Sequence, residues 1–232
     1  MGLLDIICDK NVPKVILRYI MMNFLDLASI KVIILTVKKM NVLDKYSKNI
    51  LKKSVMGFNW NCINGNLDVA QWLYSFGRSD AKVDIHANNE YVFRHSCVNG
   101  YLHVVQWLYS IGDVDIHTMA EYAFRMSCAN GHLKVAQWLY SIDVINIHVL
   151  DDCAFELSCK YGHLEVAQWL YSLGSINIHA DNEFAFRFSC ENDHLNVAQW
   201  LHSLGGVNIY AHDKYVFRYS NERIKKWLQI IK

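Results

Sequence analysis

The chain has 232 residues, of which 53% are hydrophobic and 19% are charged. This composition supports a sizeable buried core and excludes an intrinsically disordered chain. The net charge is only +1, but residues 1–54 carry +6, residues 55–217 carry −9 and residues 218–232 carry +4. An acidic middle section argues against gripping a phosphate backbone, so we expect no nucleic-acid partner.

The amino-terminal region is apolar but interrupted by charge. Arg18, Asp26 and Lys31 break the apolar stretch of residues 16–37, which is too interrupted to cross a bilayer. No secretory signal is visible. We therefore expect a soluble, intracellular protein without a membrane partner.

Residues 12–40 do not fit the pattern of the rest of the chain, and they read VPKVILRYIMMNFLDLASIKVIILTVKKM. The proline near the start, the spaced aliphatic pairs and the closing Val-Lys-Lys resemble the F-box. The resemblance requires a one-residue insertion, and Lys14 and Val15 stand where the family usually has an acidic residue. It would make the protein a substrate adaptor of a Skp1–cullin ubiquitin ligase. The other hypothesis is that residues 1–50 are a degenerate repeat or helical cap.

A string close to NGHLKVAQWLYS then occurs five times, starting at Asn64, Asn99, Asn130, Tyr161 and Asn192. The starts are 35, 31, 31 and 31 residues apart. A fixed period of this length is typical of stacked repeats. The sequence therefore predicts a repeat domain over residues 51–217, with its function on a surface.

One repeat is predicted to be a helical hairpin. From Glu121 the third copy reads EYAFRMSCANGHLKVAQWLYSIDVINIH, and its apolar residues follow helical spacing on both sides of Asn130-Gly131. The glycine supplies a helix stop that can take positive φ. Residues 143–149 are β-branched and short, which favours an extended finger toward the next unit.

Two helices, a Gly-His-Leu turn and a projecting finger resemble the ankyrin repeat, over about residues 52–232. The usual Thr-Pro-Leu-His is replaced by Tyr122-Ala123-Phe124-Arg125, and the period is 31 rather than 33, as in the divergent ankyrin arrays of giant amoebal viruses. The resemblance implies an all-α ankyrin-repeat solenoid that binds a protein partner, a host protein if the source is viral, in the host cytoplasm. Such proteins bind through their finger tips and concave helix surface.

The candidate binding residues are those that vary between units at the finger tips and at the end of the first helix. They are Asn88, Asn89, Val98, Thr118, Met119, Ala129, Val149, Leu150, Lys160, Asp181, Asn182, Glu191 and His212. A tryptophan repeats in the second helix and is predicted to belong to the structural core, at Trp72, Trp107, Trp138, Trp169 and Trp200.

The recurring cysteines and histidines are interpreted as structural. Equivalent positions in stacked helices lie about 8–10 Å apart, which is too far for disulfides and prevents convergence on one metal ion. We expect no metal, no cofactor and no catalytic activity, because no phosphate loop, zinc motif or catalytic pair is recognisable.

Charged residues also recur, and they suggest two kinds of ion pair. Glu90, Glu121 and Glu183 each precede an arginine by four residues, the favourable helical order. In the fourth unit Glu156 replaces the arginine, which suggests an Arg125–Glu156–Arg187 ladder between repeats. Glu156→Arg should then destabilise the array, more so at low salt.

Three segments depart from the repeat. Asp193 stands where the other units have glycine, so we predict positive φ and strain there, and a gain in thermal stability for Asp193→Gly. Extra residues near 78–82 are expected to lengthen the first finger as an extended loop, and the alternative is that they make a special contact. Residues 218–232 lack the inter-helix turn and are predicted to be a basic carboxy-terminal capping helix.

Overall fold

The computed structural model describes residues 55–80 and 83–232. Both hypotheses for residues 1–50 lie outside this part of the chain. The described residues divide into two compact units, with residues 55–61, 66–80 and 83 in one and residues 62–65 and 84–232 in the other. The boundary falls inside the first predicted repeat.

All regular secondary structure in the described residues is α-helical, which confirms the all-α class. In chain order the helices are α1 (Val55–Ile63), α2 (Leu67–Asp80), α3 (Ala87–Val98), α4 (Leu102–Ile111), α5 (Thr118–Ala129), α6 (Leu133–Ile142), α7 (Val149–Lys160), α8 (Leu164–Ser172), α9 (Ala180–Glu191), α10 (Leu195–Ser203), α11 (Ala211–Tyr219) and α12 (Glu222–Ile230). Helix α2 continues to Asp80, so residues 78–80 extend a helix and the predicted loop is wrong there. None of these helices is both long and apolar enough to cross a membrane.

The second unit is a stack of helical hairpins. Helix α3 packs on α4, α5 on α6, α7 on α8 and α9 on α10, so each repeat forms one hairpin. Successive hairpins meet mainly through their first helices, because α5 packs between α3 and α7, and α9 between α7 and α11. The repeat in the sequence is therefore a repeat in the packing.

The core consists of the same slots in each hairpin. The first helix buries a phenylalanine that is at most 1% exposed, and the second buries a fully covered leucine. These residues are Phe93, Phe124, Phe155 and Phe186, and Leu108, Leu139, Leu170 and Leu201. Because they recur every 31 residues, each hairpin presents the same apolar surface to its neighbour.

The repeated tryptophans lie at the edge of this core. Trp107, Trp138, Trp169 and Trp200 are half-buried, while the side chain of Trp72 is outside the described part of the structure. The ring of Trp169 meets Tyr140 of the preceding repeat edge to face, with centroids 5.8 Å apart. The fully buried ring of each repeat is therefore the phenylalanine.

The cysteine ladder is buried and unpaired, as predicted. Cys62, Cys97, Cys128, Cys159 and Cys190 are all free thiols. Burial raises the pKa of Cys190 to about 12, so this thiol stays protonated and inert at neutral pH. Among the described residues no group of three or more histidine, cysteine or acidic side chains could hold a metal ion.

The turn inside each hairpin depends on its glycine. Gly131 has φ +76°, and the His163 ring of the next repeat packs where a Cβ would lie, 2.5 Å from its Nδ1. Gly174 also has positive φ, at +97°, but nothing lies within 4 Å of its Cβ position. The two glycines thus share a positive φ, which would strain any residue with a Cβ, but they differ in packing.

This contrast gives a prediction. We expect Gly174→Ala to lower the free energy of unfolding by about 1–2 kcal/mol, the cost of positive φ for alanine. Gly131→Ala should lose about 1–3 kcal/mol more, because its Cβ collides with the His163 ring. Urea unfolding of both variants measures the difference. Equal losses in the free energy of unfolding would show that the His163 ring moves aside without cost.

The last turn places Asp193 at φ +63°, which confirms the predicted positive φ. However, Arg223 of α12 donates from Nη2 and Nε to Asp193 Oδ1, at 2.8 and 3.0 Å. Removing the aspartate would relieve strain but also lose this ion pair. The expected gain in stability is therefore corrected to little net change.

A thermal scan of Asp193→Gly checks the correction. We expect the melting temperature to stay within about 4 °C of the wild type, the shift that about 1 kcal/mol produces in a chain of this size. Arg223→Gln is the matched variant, because it removes the ion pair and leaves the strain. A melting temperature that rises in Asp193→Gly and is unchanged in Arg223→Gln would show that strain dominates.

The chain end is closed by α12. The Asn221 side chain accepts a hydrogen bond from the Ile224 N–H at 2.9 Å and so caps the helix. Ile224 and Leu228 are fully buried, and the ring of Trp227 lies 6.2 Å from that of Phe186. The apolar face of the last hairpin is thereby covered.

Candidate functional site

Each finger tip is a turn of three successive residues in the left-handed region. In the third repeat these are Met119, Ala120 and Glu121, with φ of 56°, 56° and 57°. Equivalent turns occupy residues 88–90, 150–152, 181–183 and 212–214. None of these residues is glycine, and this conformation costs roughly 1–2 kcal/mol per residue. Other contacts must therefore hold the turns in place.

The first contact is an arginine that binds the turn from inside its own repeat. Arg125 donates from Nε to the carbonyl of Ala120 at 2.6 Å and from Nη2 to that of Met119 at 3.1 Å. Arg94 and Arg187 bind their own turns in the same way. In the last repeat the equivalent Arg218 is exposed. The guanidinium thus offsets part of the strain of a non-glycine turn.

The second contact is a histidine–carboxylate pair. His117 Nδ1 lies 2.8 Å from Glu121 Oε1, and this bond is the main reason that the pKa of His117 is raised. The same oxygen accepts the backbone N–H of Asn146 in the next finger, at 3.5 Å. Equivalent pairs join His86 to Glu90, His148 to Asp152 and His179 to Glu183. The carboxylates therefore link consecutive fingers.

The fifth finger replaces both partners of this pair. Tyr210 stands in the histidine position and Lys214 in the carboxylate position. The Tyr210 ring stacks on Phe217, with centroids 5.7 Å apart and an interplanar angle of 17°. In the described residues this finger is followed by α11 and α12 rather than by another finger, which is consistent with the linking role of the acid.

These contacts correct the predicted glutamate–arginine pairs. In the repeats containing Glu90, Glu121 and Glu183 the carboxylate binds histidine, and the arginine four residues later binds backbone carbonyls. The i,i+4 spacing was a sound guide to an exposed helix. It fails here because the glutamate lies in the left-handed turn, before the right-handed helix begins.

The fourth repeat departs from the others at Glu156. The predicted Arg125–Glu156–Arg187 ladder is wrong, because both arginines bind the turns of their own repeats. Glu156 Oε1 is buried and has no hydrogen-bond partner among the described residues. Burial, then the charges of Asp181, Asp152 and Asp151, raise the pKa of Glu156 to about 7, against a smaller opposing effect of Arg187. Among the described residues this carboxylate forms no ion pair.

The predicted binding residues fall into two groups. The turn residues Asn88, Asn89, Met119, Leu150, Asp181, Asn182 and His212 are exposed, and Thr118 and Val149 are half-buried. At the ends of the first helices Val98, Lys160 and Glu191 are half-buried, but Ala129 is only 4% exposed. The expectation that Ala129 is an outward contact is therefore corrected, because its methyl group lies below the surface.

Two further rows of side chains lie on the first helices, on the same face as these helix-end residues. The sequence analysis did not identify them as candidate binding residues. One row comprises Tyr91, Tyr122, Cys153, Phe184 and Tyr215, and the other His95, Met126, Leu157, Phe188 and Tyr219; every member is at least partly exposed. The residue at each of these positions varies between repeats, and this variation was the signal that could have identified them as candidate binding positions. It was overlooked because apolar residues at helical spacing were assigned to the core.

We call these two rows, together with Val98, Lys160 and Glu191, the variable face. Arg94 lies 4.9 Å over the Tyr122 ring, and Arg187 lies 5.0 Å over that of Tyr215. Lys160 lies 5.1 Å from the Phe188 ring centroid. The cations and rings thus order one another from repeat to repeat.

An open cleft lies at one edge of the variable face. It has a volume of about 510 Å³ and is lined by Met126, Ala129, Asn130, Leu157, Tyr161 and His163. The Tyr161 side chain is 49% exposed. The cleft lies between the third and fourth repeats, where the first helices carry aliphatic rather than aromatic side chains.

The second helices present a different kind of surface. Their exposed side repeats glutamine at 106, 137, 168 and 199, and it varies in its polar residue at His103, Lys134, Glu165 and Asn196. Variation among partly exposed apolar and aromatic residues is thus concentrated on the variable face and the finger turns.

Comparisons with known proteins assign no family. No family model matches the sequence, and a search of curated proteins finds no significant match.

Proposed function

We propose that this chain is an ankyrin-like repeat protein that binds a protein partner through the variable face and the adjoining finger turns. The stacked hairpins, the Gly-His-Leu turns and the projecting fingers support the ankyrin-like assignment. The absence of catalysis, and the ubiquitin-ligase adaptor hypothesis for residues 1–50, stay predictions.

The observation that carries the proposal is where the repeats differ. Positions that build the stack are nearly identical in every unit, whereas the partly exposed positions of the first helices change from unit to unit. A solvated face with no binding role has no need of the tyrosine, phenylalanine and methionine side chains found here. These are the residue types enriched at protein interfaces.

The geometry of the face suits binding at low entropic cost. The rings of Tyr91 and His95 are tilted toward each other with centroids 4.2 Å apart, and those of Phe184 and Phe188 are also 4.2 Å apart. Tyr215 donates a hydrogen bond from its hydroxyl to Glu191 at 2.9 Å. Side chains already fixed by neighbours lose little rotamer freedom on association.

The experiment is a capture of proteins from an amoebal cell extract, the source that the sequence resemblance suggests. The full chain is compared with Met126→Lys/Leu157→Lys on the variable face. The matched control is Gln137→Lys/Gln168→Lys, which adds the same charges to exposed positions of the second helices in the same two repeats. If the melting temperatures of both double variants lie within a few degrees of that of the wild type, all three proteins are folded.

We expect a partner that is enriched by the wild type and by the second-helix control, and lost with the variable-face variant. Enrichment that both double variants retain equally, or that only the second-helix control loses, would contradict the proposal.

A further inference from the structure

The fourth repeat contains a guanidinium-binding position that has lost its own guanidinium. In the finger turns of the second, third and fifth repeats, the carbonyls of two consecutive residues accept hydrogen bonds from Arg94, Arg125 or Arg187. The equivalent carbonyls in the fourth repeat belong to Leu150 and Asp151, in a turn with the same left-handed backbone. The residue at the arginine position is Glu156.

We infer that this position receives an arginine side chain from the protein partner. The substitution reverses the charge at the position, so the site now offers two backbone carbonyls and a carboxylate in place of a donor. The pairing of an arginine with carbonyls of this turn is demonstrated three times within the same chain. The inference rests on the proposed function, because it names what the partner presents to the fourth repeat.

The local charge favours a cation over any other occupant. Asp151, Asp152 and Asp181 all act electrostatically on Glu156, and Asp152 shares its Oδ1 with His148 at 2.6 Å. The neighbouring guanidinium groups are occupied, since Arg125 also lies 3.7 Å from Cys153 Sγ and Arg187 binds the carbonyl of Asn182. The buried Glu156 Oε1 has no partner among the described residues.

Guanidinium fits the site better than ammonium. The turn presents two consecutive carbonyls, which Nε and Nη2 of one arginine bridge in the other repeats. A lysine offers a single point charge, whereas the planar arginine fork can bind the two carbonyls and the carboxylate together. The exposed Leu150 side chain, 58% accessible, lies at the same turn and can pack against the arginine stem.

The test is an NMR titration of the isotope-labelled full chain with blocked tripeptides at low salt and neutral pH. The probe is Gly-Arg-Gly, and the controls are Gly-citrulline-Gly, which keeps the shape without the charge, and Gly-Lys-Gly. We expect shifts confined to the amides around residues 150–156, with a dissociation constant on the order of millimolar. The citrulline peptide should bind at least about tenfold more weakly, and the lysine peptide about three- to tenfold more weakly.

Three variants separate the site from general charge effects. Glu156→Gln should weaken binding of the arginine peptide about tenfold, and Glu156→Arg should abolish it by supplying an internal guanidinium. Glu165→Gln, which makes the same change at an exposed position of α8 in the same repeat, should leave binding unchanged. Equal binding of the arginine and lysine peptides, or binding that Glu156→Gln and Glu156→Arg leave intact, overturns the inference.

The inference and the proposed function fail separately. If the captured partner is lost with Met126→Lys/Leu157→Lys but bound normally by Glu156→Arg, the variable face binds a partner without an arginine at the fourth repeat. If the arginine peptide binds at residues 150–156 but no partner depends on the variable face, the guanidinium site is present and the proposed function is wrong.

Discussion

Phe124→Ala is expected to lower the free energy of unfolding by about 3–5 kcal/mol, the usual cost of removing a buried aromatic ring. Phe124 is fully buried, and its ring lies 6.1 Å from that of Trp169 in the next repeat. The substitution therefore leaves a cavity at the contact between two hairpins. Urea unfolding followed by circular dichroism measures the loss.

Two further variants make this prediction specific. Phe124→Leu keeps most of the volume and should cost less than about 1.5 kcal/mol. Trp169→Ala removes a larger ring, but one that is only half-buried, so we expect about half the loss of Phe124→Ala. A loss from Trp169→Ala that equals or exceeds that from Phe124→Ala would return the tryptophan to the core position that the sequence suggested.

Glu156→Arg is expected to raise the free energy of unfolding by about 1–3 kcal/mol at pH 7, the range for hydrogen bonds from a charged group. The new arginine should bind the carbonyls of Leu150 and Asp151, as Arg125 binds those of its own turn. The substitution also removes a carboxylate whose buried Oε1 has no hydrogen-bond partner among the described residues. The expected effect is therefore opposite to that of the predicted Arg125–Glu156–Arg187 ladder, for which Glu156→Arg would have lowered the free energy of unfolding.

The pH dependence of stability tests the same site. The folded pKa of Glu156, about 7, lies above its unfolded value, so ionisation opposes folding. The contribution of the neutral Glu156 side chain to the free energy of unfolding is fully present below about pH 4.5, and it is lost as the pH rises through 7. Because the side chain is partly exposed, solvent screening reduces this contribution to about 1–2 kcal/mol.

Unfolding free energies at pH 5 and pH 8 provide the measurement. Between these values the wild type should lose about 1–2 kcal/mol more stability than Glu156→Gln, which cannot ionise at this position. Glu165→Gln, at an exposed site, should behave like the wild type. Identical pH profiles for wild type and Glu156→Gln, or a less stable Glu156→Arg, would show that Glu156 has a partner that offsets its burial.

The helical hairpins could be predicted because their signals are local and repeated. The spacing of Phe124, Cys128, Val135 and Leu139 indicates two helices, and Gly131 indicates the turn between them. Five copies of the same pattern reinforced each assignment. The stacking of the hairpins follows, since every copy carries the same apolar positions.

The finger turns could not be predicted from the same patterns. Residues such as Met119 and Ala120 have no preference for positive φ, and their turn exists because Arg125 and the His117–Glu121 pair hold it from a distance. Those contacts join residues whose spacing also fits an ordinary helix. The sequence therefore located the finger tips but assigned their charged residues to the wrong partners.

The variable face was hidden by a similar ambiguity. Met126 and Leu157 continue the apolar pattern of their helices, and composition alone does not distinguish a half-exposed apolar residue from a core one. The distinction lies in the comparison between repeats, because Phe124 and Phe155 are the same residue whereas Met126 and Leu157 differ. A position that varies within a conserved stack is a candidate for binding.

The most direct test of the central claim is hydrogen–deuterium exchange of the full chain, with and without the partner recovered in the capture experiment. We predict slower exchange of the backbone amides on binding in residues 118–130 and 149–161, which contain the finger turns and first helices of the third and fourth repeats. Residues 133–142 and 164–172, the second helices of the same repeats, should be unchanged. Protection confined to the second helices would contradict the account.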